Sequence, residues 1–265
     1  MALPPVPVSR RAAVYSSAGG QADWGIAEET PVEIGFNGTA WTVMMASPAD
    51  LEDLAIGLAL TEGAVASGAD IEAVDIRQWP EGFTADIRIA PELLRSERVH
   101  RRALDGRTGC GLCGIEKLAD LQAPPPALPP APVISAGAIR AALDALPQHQ
   151  SLNRETRSVH AAAWCRIDGS IALVREDVGR HNALDKLAGA RLRQGEPLDA
   201  GFVVMSSRCS FELVFKAARM RAALLATLSA PTGLALDLAQ QLRLPLAAAG
   251  SQGAIVFFAP EPGHG

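Results

Sequence analysis

The sequence predicts an α/β protein: a three-layer α/β C-terminal domain joined to a smaller α+β N-terminal domain. Three observations predict it. Beyond residue 133, strand-like and helix-like segments alternate, as they do when helices pack on the faces of a sheet. The first half instead sets two strand pairs around one helix. Between the halves, the run Pro-Pro-Pro-Ala-Leu-Pro-Pro-Ala-Pro at 124–132 can continue neither a helix nor a central strand, and it reads as an extended linker.

Residues 1–22 are rich in Pro, Ala, Ser and Gly without periodicity, and a mobile tail is expected there. The smaller domain is placed at 23–123. Strand-like runs at 32–36 and 41–45 flank Asn37-Gly38, a pair that supplies the positive φ of a type I′ turn, so they form a hairpin. Ser47, followed by Pro48, is placed as the cap of a helix whose Leu51, Leu54, Ala55, Leu58 and Ala59 recur at helical spacing. Residues 73–77 and 83–89, split by Pro80-Glu81-Gly82, read as a second strand pair. The domain at 133–265 is predicted to carry helices at 135–146, 183–192, 212–220 and 233–242. Its strands are placed at 161–167, 171–174, 202–205, 223–228, 246–249 and 254–258. Ligands of such domains bind at the loops where strands lead into helices.

The bulk composition excludes several functions. With 265 residues, 48% hydrophobic and 20% charged, the chain is long and apolar enough for a sizeable core. A formal charge of -5 gives no general attraction to nucleic acid or anionic membrane, and 5% aromatic content argues against a base-stacking platform. No apolar run is long enough for a transmembrane helix. Ser9-Arg10-Arg11 resembles a twin-arginine start but lacks the apolar segment of an export signal. Four cysteines, with Cys165 and Cys209 isolated, fit a reducing cytoplasm, which is the expected location.

The richest chemistry lies in Arg107-Thr108-Gly109-Cys110-Gly111-Leu112-Cys113-Gly114. Glycines flanking the thiols permit positive φ and close approach of another molecule, while Arg101, Arg102, Arg107 and Lys117 can favour thiolate. The pair has three chemical readings: a structural metal clip, a redox pair or a persulfide-bearing nucleophile. Closed zinc sites need four ligands, and no second CxxC is present; no metal is assigned. Redox CxxC pairs normally follow a strand and open a helix, whereas this one sits among Gly106, Gly109, Gly111 and Gly114. Sulfur relay suits a loop that must meet both a donor and an acceptor.

Two further segments suggest a binding site. In Arg175-Glu176-Asp177-Val178-Gly179-Arg180-His181-Asn182, Asn182 is placed as a helix cap, and Asp177, Arg180 and His181 are ligand candidates at the end of a strand. Arg175 and Glu176 read as an ordinary ion-paired loop. Ser206-Ser207-Arg208-Cys209-Ser210 is expected at a helix N-terminus, where hydroxyls, free N–H groups and Arg208 suit phosphate; Ser207 or Ser210 would cap the helix, and Cys209 reads as a buried small residue. His160-Ala161-Ala162 resembles the His-x-Glu of zinc deaminases, but Ala162 stands where the proton-transferring Glu is required.

These motifs, together with Met44-Met45-Ala46-Ser47-Pro48, Leu51-Glu52-Asp53-Leu54-Ala55-Ile56-Gly57, Thr61-Glu62-Gly63, Arg175 to Lys186 and Ser206 to Lys216, resemble the FdhD family of formate dehydrogenase accessory sulfurtransferases. The resemblance runs from about residue 29 to the C-terminus. It implies a sulfur carrier: a cysteine desulfurase loads the thiol loop, which passes sulfur to the molybdenum or tungsten bis-guanine-dinucleotide cofactor before that cofactor enters the formate dehydrogenase catalytic subunit. It further implies Cys110 as persulfide bearer, Cys113 as its partner in exchange or resolution, a cytidine-deaminase-like second domain without zinc chemistry, and a homodimer. Phosphates of the cofactor would fall to Arg180, Ser207 and Arg208, with Asp177 and His181 beside them.

The chain departs from the family pattern at Thr156-Arg157-Ser158 and at Ser206-Ser207-Arg208. A third departure is Gly250-Ser251-Gln252-Gly253, which lacks the arginine the family commonly offers the nucleotide, leaving backbone N–H groups to serve there. The rivals to a sulfur carrier are a cofactor-binding chaperone that transfers nothing and a zinc-dependent deaminase.

Overall fold

The computed structural model describes residues 3–17, 19–95, 124–195 and 201–258. The thiols Cys110 and Cys113 lie outside the described residues.

The strands are β1 Ser9–Tyr15, β2 Gln21–Ala27, β3 Thr30–Phe36, β4 Thr39–Ala46, β5 Ile71–Trp79, β6 Gly82–Ile89, β7 His160–Cys165, β8 Ile171–Asp177, β9 Phe202–Cys209, β10 Leu225–Pro231, β11 Leu246–Ala249 and β12 Ile255–Phe258. The α-helices are α1 Leu51–Thr61, α2 Ala136–His149, α3 Ser151–Thr156, α4 Arg180–Arg193, α5 Phe211–Arg219 and α6 Gly233–Leu242. Strands pair in the orders β1-β2, β4-β3-β6-β5 and β12-β11-β10-β9-β7-β8.

In the four-stranded sheet, β3 and β4 form the hairpin predicted from Asn37-Gly38, with φ of 50° and 79° at the turn. One face of this sheet packs on α1, where Leu54 and Leu58 meet Val32, Ile34, Ala85 and Ile87. Full burial of each leucine contributes about 1.5–3 kcal/mol before its entropy cost.

Helices cover both faces of the six-stranded sheet. Residues 161, 163, 202, 204 and 226 face α2 through Ile139, Ala142 and Leu146. Residues 162, 164, 203, 205 and 225 face α4, α5 and α6 through Leu184, Leu187, Leu213, Ala217 and Leu238. Burial on both faces explains why β7 and β9 read as continuous apolar runs. Strands β9, β10 and β11 are parallel, and β8 runs the same way because β7 is antiparallel to both β8 and β9.

The N-terminal segment departs from expectation. Instead of a featureless tail through residue 22, β1 and β2 pair over their whole length around a turn with Gly19 and Gly20 at φ of 95° and 92°. Two strands alone are marginal in water, and this hairpin is held from outside. Ser9 Oγ donates to Glu155 Oε1 at 3.0 Å, and the Arg157 guanidinium lies 4.6 Å from the Trp24 ring centroid. Composition could not reveal partners more than a hundred residues away. The proline segment has neither helix nor strand, but it is docked: Leu128 is buried and its N–H donates to Leu242 O at 2.8 Å.

Candidate functional site

Where β8 runs into α4, a buried carboxylate organises the turn. Asp177 is wholly buried; Oδ1 accepts from Gly179 N at 2.8 Å and Asn182 Nδ2 at 2.9 Å, and Oδ2 accepts from Ser47 N at 3.0 Å and lies 2.6 Å from Lys186 Nζ. Ser47 completes the clasp, its Oγ accepting from Val178 N at 3.1 Å and its carbonyl from Lys186 Nζ at 3.0 Å. A carboxylate taken out of water must be neutralised by such partners.

This corrects three sequence assignments. Asp177 offers no surface to a ligand, because both oxygens are occupied within the protein. Ser47 does not cap α1; Asp50 holds that position, in left-handed conformation with no side-chain cap bond. Asn182 lies inside α4 rather than at its cap, which is Gly179, and its amide spans from Asp177 to Met45 O at 2.8 Å.

The clasp presents Arg180 and His181 in the first turn of α4. Arg180 is partly exposed, and its side chain makes no hydrogen bond or ion pair to another described residue. His181 is buried, with Nε2 at 2.6 Å from Glu212 Oε2 in the first turn of α5, a close contact without hydrogen-bond alignment that sets the N-termini of the two helices side by side. His160, at the start of β7, has Nδ1 3.5 Å from Ser206 Oγ. Burial holds its pKa below the usual 6.5, and the charges of Arg180 and His181 push the same way.

The segment at 206–210 differs from expectation. Strand β9 continues through Cys209, so Ser206, Ser207 and Arg208 belong to a strand end rather than a helix start. Ser206 Oγ accepts from Ala161 N at 2.8 Å, which ties β9 to the His160 end of β7. Ser207 is buried with Oγ donating to Arg208 O at 3.0 Å, whereas Arg208 is exposed. Ser210 takes the cap position of α5 without a side-chain cap bond. Cys165 and Cys209 are buried free thiols whose pKa burial pushes up to about 12, which leaves them inert.

Gly250, Ser251, Gln252 and Gly253 follow β11 as an exposed turn, with Gln252 at φ 52°. It sits on the same edge of the sheet as Arg180, but β11 is four strands from β8 and two from β9. At ~4.8 Å per strand, the turn stands roughly 19 Å from the Arg180 end and 10 Å from Arg208. The structure therefore gathers His160, Arg180, His181, Ser206, Arg208 and Glu212 around one strand edge, and sets 250–253 apart along it. Among the described residues no group of three or more His, Cys, Asp or Glu side chains is arranged to hold a metal ion.

Residues the sequence reading missed lie below this edge. Lys216 Nζ donates to Asp185 Oδ1 and Oδ2 at 2.9 and 3.0 Å, to Thr61 Oγ1 at 3.0 Å and to Glu62 Oε1 at 2.8 Å. Arg175 and Arg193 each approach Asp53 at 2.8 Å. Asp185, Lys186 and Lys216 stand at regular helical positions, where a polar residue reads as solvent-facing. Only their occurrence within otherwise apolar runs hinted at burial.

Comparison with known proteins follows the same residues. A family model described as the FdhD/NarQ family matches residues 27–261. A protein named "Sulfur carrier protein FdhD" from Cupriavidus necator is 45% identical over 234 residues, 88% of this chain and 81% of its own. The protein of that name from Chromobacterium violaceum is 50% identical over 230 residues, 85% of each chain. A solved structure described as a "putative formate dehydrogenase accessory protein" from Desulfotalea psychrophila superposes with a TM-score of 0.73 at 23% identity, covering 97% of this chain and 99% of that one. That likeness establishes a common fold. No helix among the described residues is long and apolar enough to cross a membrane.

Proposed function

The chain belongs to the FdhD/NarQ family, and on that premise we propose that it carries sulfur as a Cys110 persulfide. The donor is a cysteine desulfurase, and the acceptor is the molybdenum or tungsten bis-guanine-dinucleotide cofactor destined for formate dehydrogenase. The observation that carries the acceptor half is a pair of cations on one strand edge: Arg180, whose side chain has no hydrogen bond or ion pair among the described residues, and exposed Arg208, two strands along that edge, where the adjacent N-termini of α4 and α5 meet the carboxyl end of β9. Guanidinium forks and free helix N–H groups favour phosphate, and the cofactor is a polyanion. On this reading the 250–253 turn, farther along the same edge, meets a more distant part of so long a ligand.

In the loading step the Cys110 thiolate attacks the outer sulfur of the donor persulfide. The donor S–S bond breaks, and the donor keeps the electron pair as thiolate. In delivery, the Cys113 thiolate attacks Cys110 Sγ; a Cys110–Cys113 disulfide forms and the outer sulfur leaves as hydrosulfide toward the cofactor. The two thiols supply two electrons, and a dithiol reductant restores them.

Chain length permits the transfer. Arg95 N donates to Ala64 O, next to Gly63, where the Arg219 side chain packs; Leu128 to Pro132 share a cavity with Arg221 to Ala223. Both ends of the thiol-bearing segment are thus rooted at the C-terminal end of α5. That helix spans about 13 Å, while the 15 residues from Arg95 and the 18 from Leu128 to Cys110 allow reaches of roughly 50 and 60 Å.

The test is intact mass spectrometry after incubation with a cysteine desulfurase and cysteine. The expected result is a gain of one sulfur atom that Cys110→Ala abolishes. No gain in the unmodified chain would sink the proposal and leave a cofactor-holding chaperone.

A further inference from the structure

The opposite end of the six-stranded sheet holds a cavity of about 120 Å³ that the sulfur-transfer reading leaves unused. Its walls are the docked Leu128 to Pro132 segment, Arg221 to Ala223 between α5 and β10, and Arg243 between α6 and β11. These loops precede β10 and β11, so the cavity lies at the amino ends of the parallel strands, away from Arg180 and Arg208.

The cavity's charge is one-sided. Among the described residues, Arg221 and Arg243 are its only charged lining residues and no carboxylate lines it, although the whole chain carries a net charge of -5. Neither arginine forms a hydrogen bond from its side chain, or an ion pair, with another described residue. Of the lining backbone donors only Ala131 N–H has no carbonyl partner among the described residues. The N–H groups of Leu128, Arg221, Ala222, Ala223 and Arg243 donate to Leu242, Ala218, Ala217, Gly201 and Gln240 carbonyls, and Pro129, Pro130 and Pro132 have none. The two guanidiniums are the charged donors left to the site.

Both arginines also stand where glycine is ordinarily found. Arg221 follows α5 with φ 55°, and Arg243 ends α6 with φ 56°, the left-handed conformation that closes many helices. A side chain there is strained, and the chain places a long cation in each position.

We propose that this cavity binds a phosphate group, gripped between the two guanidinium forks, with the proline segment excluding water from one side. The group is either free phosphate or the end of a small phosphate monoester. Isothermal titration of the full chain with inorganic phosphate and, separately, with glycerol phosphate distinguishes the two sources by which binds tighter.

The variant R221G/R243G removes both forks while relieving the left-handed strain, so folding is expected to be preserved. Phosphate affinity is expected to fall about tenfold or more in that variant, and to persist in Arg88→Ala, which removes an exposed arginine of the four-stranded sheet. Unchanged affinity in R221G/R243G, or no phosphate binding by the unmodified chain, would overturn the proposal. Should the glycine variant fail to fold, R221Q/R243Q gives the same reading.

Discussion

Asp177 and Lys186 carry the geometry of the candidate site without touching what it binds. Both side chains are fully buried, so removing one charge strands the other in the interior. Lys186→Met is expected to cost about 3–5 kcal/mol, read as a lower urea midpoint; a cost near zero would mean that water reaches Asp177. His160 is expected to make stability depend on pH. Its folded-state pKa lies below 6.5, so the unfolded chain takes up its proton first as pH falls. The contribution is therefore full above pH 6.5, declines as pH drops through 6.5, and levels off below the folded-state pKa. Urea midpoints between about pH 7 and pH 5 should fall more steeply for the unmodified chain than for His160→Gln. Equal slopes would remove His160 from the explanation.

Helix packing, rather than any single charge, fixes how α4 presents Arg180. A Cβ on Gly57 of α1 would stand 1.7 Å from Asp185 O, and one on Gly189 of α4 would stand 1.9 Å from Asp53 O, so the two helices cross backbone against backbone. Alanine favours an isolated helix by ~1 kcal/mol over glycine, but this contact cannot open without parting the ion pairs beneath it. Gly57→Ala and Gly189→Ala are each expected to destabilise by on the order of 3 kcal/mol, whereas Gly233→Ala, with nothing within 4 Å, should be near neutral in the same denaturation experiment. Elements governed by local rules were legible in the sequence. Asn37-Gly38 made its turn, and the helices expected at 135–146 and 233–242 are α2 and α6, although their caps, Ser135 and Thr232, were not assigned from the sequence. Elements governed by distant partners were not. The β1-β2 hairpin depends on Glu155 and Arg157, and Ser206 to Arg208 extend β9 because they pair beside His160 and Ser229, although their composition suggests a loop. For the candidate site the sequence pointed to residue types but not to burial: Arg180 and Arg208 keep exposed surface, while Asp177 is spent internally.

Across the whole molecule, buried polar groups of β8, α4 and α5 take partners in the N-terminal half. Arg175 and Arg193 meet Asp53, Lys216 meets Thr61 and Glu62, Asp177 meets Ser47, and Asn182 meets Met45. The proline segment marks a change of architecture along the chain, but the packing runs across it. A fragment covering 124–265 would keep the six-stranded sheet, yet it would bare the Gly189 face of α4 and leave Lys186 and Lys216 each short of acceptors from Ser47, Thr61 and Glu62. Each such loss costs about 1–3 kcal/mol, and together they approach the ~5–15 kcal/mol stability of an ordinary domain. The fragment is therefore expected to lack fixed side-chain packing, seen as a collapsed near-ultraviolet circular dichroism signal, and the full chain to unfold in one transition by both fluorescence and far-ultraviolet circular dichroism. Two separate transitions, or a well-packed fragment, would show that the halves are independent. The presentation of Arg180 would then not require α1. A single transition means that the thiol-bearing segment leaves and re-enters one cooperative body, with both of its roots near one end of α5.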